Sequence, residues 1–242
     1  MNLAPQPQQC SLQDVPARHL QFRPLVEDFT VWWLCALPIE LNAARAVLDE
    51  IYDAHDIPQY ILGRIGRHNA VVGCLPAGQI SLSTGPAVAA DMHHIFPSLK
   101  HGLMVGVAGG VPSATADIRL GDVVISQPQG SNGGVVQYDF GKTLQDGKFM
   151  RTGSLNSPPR DLLIAVARLQ ANNADGRRRV RENLSVLTER PQLEFASPPD
   201  DTDRLFESSF NHIGGESCTH CLLERTIRRP RPKISTFIHY GT

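Results

Sequence analysis

Three short stretches hold residues whose types and spacing could do chemistry. The first is "GLMVGVAGGV", residues 102–111, an apolar run broken by glycines. In open α/β sheets ligands bind beyond the carboxyl ends of the strands, and glycine there lets backbone N–H groups approach a ligand with no Cβ in the way. Gly106, Gly109 and Gly110 suit that role. Their spacing is neither G-x-G-x-x-G nor a P-loop, because no Lys-Ser/Thr follows, which disfavours dinucleotides and Walker-type triphosphate binding. A tight turn with no ligand accounts for the same residues equally well.

The second is Glu40 in "CALPIELNAA". It falls just past an apolar run and in the first turn of a predicted helix, where the helix dipole favours an acid. Service to that helix end alone would explain it. A carboxylate at a strand end is also well placed to orient a water or to bind a sugar hydroxyl. The third is "CTHC", Cys218 to Cys221, a C-x-x-C with His220 inside it. One such pair with its histidine supplies at most three ligands and a structural zinc site normally takes four, so two incidental thiols are expected ahead of a loop-stapling metal or redox pair, and no metal is assigned. The nearest additional candidate is His212.

These residues need elements to hold them. "FTVWWLCAL" (29–37) is a nearly continuous run of β-favouring apolar residues, the pattern of a strand buried on both faces. In "PIELNAARAVLDEIY" (38–52) Pro38 suits a first helical turn, and Leu41, Ala44, Leu48 and Ile51 recur at helical spacing. "QYILGRIG" and "HNAVVGCLP" predict two strands around a short turn, and "GPAVAADMHHIF" a helix that ends at Pro97. His93 and His94 on that helix point to adjacent faces and read as structural. "GLMVGVA", "GDVVIS" and the final "KISTFIHYG" predict further strands, and "PPRDLLIAVARLQAN" a helix with proline at its start. "VQYDFGKT" places Tyr138 and Phe140 on alternating positions of a short strand, where plain packing explains them as well as a pocket does. Alternating strands and helices argue for an α/β fold, a mixed central sheet flanked by helices. Residues 1–28, rich in Pro and Gln, read as a disordered leader, and 190–232 as a long loop or insertion within a domain spanning 29–242.

Composition narrows the partners. The 242 residues are 41% hydrophobic and 19% charged with formal net charge -1, which gives no bulk reason to bind nucleic acid or an anionic membrane. The basic runs "GRRRVRE" and "RTIRRPRPK" read as solvated faces. No stretch has the apolar core of a signal peptide or the roughly 18 apolar residues of a membrane span, so a cytoplasmic protein is expected. Five scattered cysteines fit a reducing compartment.

Taken in order, "VWWLCALPIELNAA", "LPAG", "GLMVGVAGGV" and "LGDVVIS" resemble the purine nucleoside phosphorylase and nucleosidase superfamily. "GRIGRHNAVVGCLPAG", "GGVVQYDFGK" and "RTGSLNSPPR" resemble its fungal branch, often an N-terminal domain of larger multidomain proteins. The resemblance implies cleavage of the N-glycosidic bond of a purine-type nucleoside, by water or by phosphate, with no cofactor. It matches Glu40 to the acid that holds the attacking water, and Val107, Ala108, Gly109 and Gly110 to the backbone beside ribose and base. In some members aromatic residues near Tyr138 shape the pocket across a dimer interface, which leaves a homodimer open.

Two departures qualify that reading. Phosphorylases commonly carry an Arg on the strand entering the glycine segment, where Met104 stands here, and this tilts the expectation towards a nucleosidase. In the family the strand resembling "FIHYG" leads into a Glu-Met-Glu segment that binds the ribose hydroxyls and an Asp that protonates the leaving base. The sequence stops before both, so a C-terminally truncated copy with no assignable general acid is expected. The competing class is a non-catalytic nucleoside- or nucleotide-sensing module of a larger signalling protein.

Overall fold

Neighbouring residues of the first strand face different hydrophobic cores, and this sets the layering. In the computed structural model β1 (Val31–Cys35) sends Trp32 towards a cluster built on Phe29, Leu62, Val71, Met92 and Phe96. Trp33 and Cys35 pack into a second cluster with Ala44, Leu48 and Val72. A sheet with an apolar core on each face needs strands apolar on both sides, which is why "FTVWWLC" does not alternate with polar residues. The described residues are 23–79, 81, 83–113, 116–172, 178, 180, 182–185, 187, 202–214, 218–229 and 237–241. They fall into two units, one running to Ala108 and one starting at Gly109.

The first unit holds a five-stranded mixed sheet of order β2-β3-β4-β1-β5, with β2 Glu50–Tyr52, β3 Ile61–Ile65, β4 His68–Cys74 and β5 His101–Met104. β4 and β5 run parallel to β1, while β2, β3 and β4 form an antiparallel meander. Ile65 pairs directly with His68 across a two-residue turn, which Gly66 makes by taking φ +58°. Helix α1 (Pro38–Ala46) contributes Ala44 to one face, and helix α2 (Thr84–Ile95) contributes Met92 to the other. Edge-to-face contacts of Phe29 with Tyr52 and Phe96, at ring separations of 6.2 and 5.5 Å, close the core on the Trp32 and Met92 side. On the sheet Trp32 lies across Gly102, its register partner on β5; a Cβ there would overlap the indole ring.

Two boundaries differ from the sequence expectation. The helix expected to reach Tyr52 ends at Ala46, and Ile51 lies in β2. Tertiary pairing overrides the helical spacing: Glu50 sits opposite Arg64 and receives its guanidinium at 2.6 and 3.1 Å, and the Asp49 N–H donates to the Arg64 carbonyl at 2.8 Å. Of the expected leader, residues 1–22 lie outside the described residues. Residues 23–28 do not: Arg23 pairs with Asp56, Val26–Asp28 form a 3-10 turn, and Val26 packs on the core.

The second unit has β6 (Val123–Ser126), β7 (Gly141–Thr143), β8 (Phe149–Arg151), α3 (Arg160–Ala171) and β9 (Ile238–Gly241). β6 and β9 make a parallel two-stranded sheet, and β7 and β8 an antiparallel hairpin. The strand expected through Tyr138 and Phe140 is absent, because the strand begins only at Gly141 and both rings are exposed, Tyr138 at 83%. Gly134 takes φ +109° against the Gln127 backbone and turns the chain there. Within the expected loop 190–232, residues 190–201, 215–217 and 230–232 lie outside the described residues. The rest is stapled: Phe206 bridges Thr226, and nearly buried Asp203 pairs with Arg119 and Arg229 at 3.3 and 3.4 Å. No helix among the described residues is long and apolar enough to cross a membrane.

Candidate functional site

The end of β1 delivers the chain into α1 with Leu37 extended as the N-cap, Pro38 in the first turn and Glu40 at the third helical position. A first-turn acid can reach back over the helix end. Glu40 does so with one oxygen, Oε2, which accepts the N–H groups of Ala36 at 2.7 Å and Leu37 at 2.9 Å. Its other oxygen, Oε1, accepts the N–H of Val107 at 2.8 Å. One buried carboxylate, 7% exposed, therefore ties the ends of β1 and β5 to the start of α1.

Burial raises the affinity of this carboxyl for a proton, but the donors at Val107, Ala36 and Leu37 favour the ionised form and hold it below the ordinary carboxylate range. Gly106 is glycine for the same reason, since a Cβ at that position would run into the Glu40 carboxylate. The charge is felt by two thiols that face each other in register, Cys35 on β1 and Cys74 on β4. Burial, then Cys74, then Glu40 push the Cys35 thiol up to about 11; burial and Glu40 raise Cys74 too. Neither thiol is a nucleophile at neutral pH.

The structure thus brings Glu40 together with Gly106 and Val107, and Ala108 follows in the same unit. Val107 is 78% exposed beyond the end of β5, although its N–H is held by Glu40. Gly109 and Gly110 belong to the second unit, where a Cβ on Gly110 would strike Ile118 while Gly109 has open space. Met104 is exposed on β5. His93 makes an edge-on ring contact with Trp32 at 6.1 Å, a packing role.

Sequence reasoning missed Asp122. Gly121 turns at φ +83° and Asp122 then sits at the base of β6 with its side chain 2% exposed. Oδ1 accepts the Phe237 N–H, and Oδ2 accepts the Arg119 N–H and meets His239 Nε2, each at 2.9 Å. The Gly-Asp pair of "LGDVVIS" therefore latches β6 to β9. Its short-range signal was only Gly-Asp before an apolar run, because the partners lie more than a hundred residues on. A further cluster forms at "CTHC", where one donor atom from each of His212, Cys218 and Cys221 lies within 4.8 Å of the others.

The chain is 40% identical over 209 residues to a nucleotide-binding leucine-rich repeat (NLR)-like protein of Hyaloscypha variabilis, a match that covers 84% of this chain. The chain spans about 20% of that relative's length. No family model matches the sequence, and no solved structure matches it.

Proposed function

We propose that the chain is a ligand-sensing module of a larger NLR-like signalling protein, one that recognises a purine-type nucleoside without cleaving it. Its similarity along most of its length to part of an NLR-like protein is the observation that carries this reading. The state of Glu40 agrees with it. A carboxylate offers about four lone-pair sites, and three are taken by backbone N–H groups. A base that drives water onto the anomeric carbon has to accept a proton; Glu40 is held as the anion and gives one up readily, so its gain lies in fixing backbone geometry. Val107 and Ala108, exposed beyond the carboxyl ends of parallel β1 and β5, lie where an α/β sheet binds ligands, with the Val107 N–H itself given to Glu40.

One observation favours a second reading, N-glycosidic cleavage by water in preference to phosphate. An ionised acid sits at that strand end, with one lone pair of Oε1 left over for a water. In that reaction the water oxygen bonds to the anomeric carbon and loses one proton, the glycosidic bond breaks with its electron pair going to the base, and the base gains one proton.

Equilibrium dialysis of the chain against a panel of purine nucleosides, with chromatography of both chambers for free base, tests the two. Retention of one nucleoside with no base released supports the sensing module. Base released over many turnovers overturns it in favour of the nucleosidase, and failure to retain any purine nucleoside removes the ligand class altogether.

A further inference from the structure

The second unit contains a group of soft ligands that the nucleoside reading leaves unused. Residues 205–214 and 218–227 run back against each other: Ile227 N–H donates to Leu205 O at 2.7 Å, Glu207 N–H to Arg225 O at 3.0 Å, and Phe206 bridges Thr226. Phe206 and Phe210 stack at 5.3 Å on one arm, and an Arg225–Glu207 ion pair at 2.8 Å ties the arms. Beyond this ladder the first arm carries His212. The second makes a single 3-10 turn, Cys218–His220, closed by the Cys221 N–H onto the Cys218 carbonyl at 3.1 Å. That turn puts the two sulfurs of the C-x-x-C on one side, facing the histidine.

We infer that His212, Cys218 and Cys221 form a zinc site that pins the two arms of this segment. Their donor atoms lie within 4.8 Å of one another. Zn–S bonds of about 2.3 Å and Zn–N bonds of about 2.0 Å set the edges of a tetrahedron at roughly 3.5–3.8 Å, so closure onto an ion needs movements of about 1 Å. Two thiolates and an imidazole are a soft set that selects Zn²⁺ over Mg²⁺ or Ca²⁺. Cys221 is buried and closes the inner side, while Cys218 and His212 are exposed and leave the fourth position to a water. The Gly214 N–H donates to His212 Nδ1 at 3.2 Å. Zinc on either ring nitrogen exchanges that contact: on Nδ1 it takes the acceptor, and on Nε2 it moves the ring proton to Nδ1. Binding also releases both thiol protons. Of the two histidines the sequence offered beside the thiols, His220 inside the C-x-x-C and His212 beyond it, the fold brings His212 to the sulfurs.

The full chain, freed of metal by dialysis against a chelator under reducing conditions, is titrated with Zn²⁺ and separately with Co²⁺. The site predicts one tightly held zinc per chain, and a Co²⁺ spectrum with thiolate-to-metal charge transfer and strong tetrahedral d–d bands. Cys218→Ser with Cys221→Ser loses both signals, and His212→Ala surrenders its zinc to a chelator concentration at which the parent chain retains it. The cobalt spectrum of the parent chain needs no variant, so misfolding of the double substitution does not blunt the test. Weak octahedral bands, zinc well below one per chain, His212→Ala that holds zinc as tightly as the parent, or a Cys218–Cys221 disulfide that survives reduction would each overturn the assignment.

Discussion

Replacing Glu40 by glutamine keeps the size of the side chain and removes its charge, which isolates what the carboxylate does. The amide has one acceptor oxygen. If that oxygen takes the place that receives Ala36 and Leu37, the amide nitrogen faces the Val107 N–H, donor against donor. The substitution thus loses one charge-assisted hydrogen bond outright and weakens two, at a site only 7% exposed. A hydrogen bond to a charged group contributes about 1.5–3 kcal/mol, so Glu40→Gln should cost roughly 2–4 kcal/mol, and Glu40→Ala, which strands all three donors, somewhat more. Both tryptophans, Trp32 and Trp33, lie on β1, so urea denaturation followed by tryptophan fluorescence reports the unit that holds Glu40. The effect has a pH signature. The folded carboxyl titrates below its ordinary value, so its stabilisation is present above the unfolded pKa of about 4.3 and is lost as pH falls through the folded value. The difference between parent and Glu40→Gln should be full at pH 7 and shrink below about pH 4. A variant within about 0.5 kcal/mol of the parent at pH 7, or a difference that does not change on acidification, refutes the clasp.

Three other outcomes follow from the same geometry. Gly106→Ala drives a Cβ into the Glu40 carboxylate and should cost about 1–3 kcal/mol in the same urea assay, whereas Gly109→Ala, which meets open space, should cost much less. Cys35, buried with its thiol pushed up to about 11, should stay unlabelled by iodoacetamide at neutral pH while the chain is folded and react once urea unfolds it, as mass spectrometry of peptides would read. Asp122→Asn, which weakens three contacts of a nearly fully buried carboxylate, should cost roughly 1.5–3 kcal/mol and speed hydrogen exchange in β6 and β9 while β1 to β5 keep their protection.

The sequence was most legible where local pattern and tertiary demand agree. An apolar run without alternation at β1 meant two covered faces, and the cores on either side of Trp32 and Trp33 supply them. Pro38 and Glu40 announced α1, and Pro159 precedes α3. Failures came where a distant partner decides. Ile51 keeps helical spacing with Leu48, yet Glu50 finds Arg64 across a strand pair, and a bidentate ion pair with a full ladder wins. Tyr138 and Phe140 alternate as strand residues do, but the strand begins only at Gly141 and both rings stay exposed. The candidate site divides in the same way. The capping contacts of Glu40 to Ala36 and Leu37 could be expected from spacing of three and four residues; the bond to Val107 spans 67. Likewise "CTHC" advertised two sulfurs, and only the folded segment shows that His212 faces them.

The measurement that bears most directly on the proposed function is an amide-resolved nuclear magnetic resonance titration of the chain with a purine nucleoside, with the proton spectrum of the ligand recorded throughout. A sensing module built on the end of β5 predicts saturable shifts at the Val107 and Ala108 amides, smaller ones at Ala36 and Leu37 through the shared Glu40 carboxylate, and a nucleoside that remains intact. Free purine base accumulating as the titration stands, or no amide shift at those positions at saturating nucleoside, would contradict it.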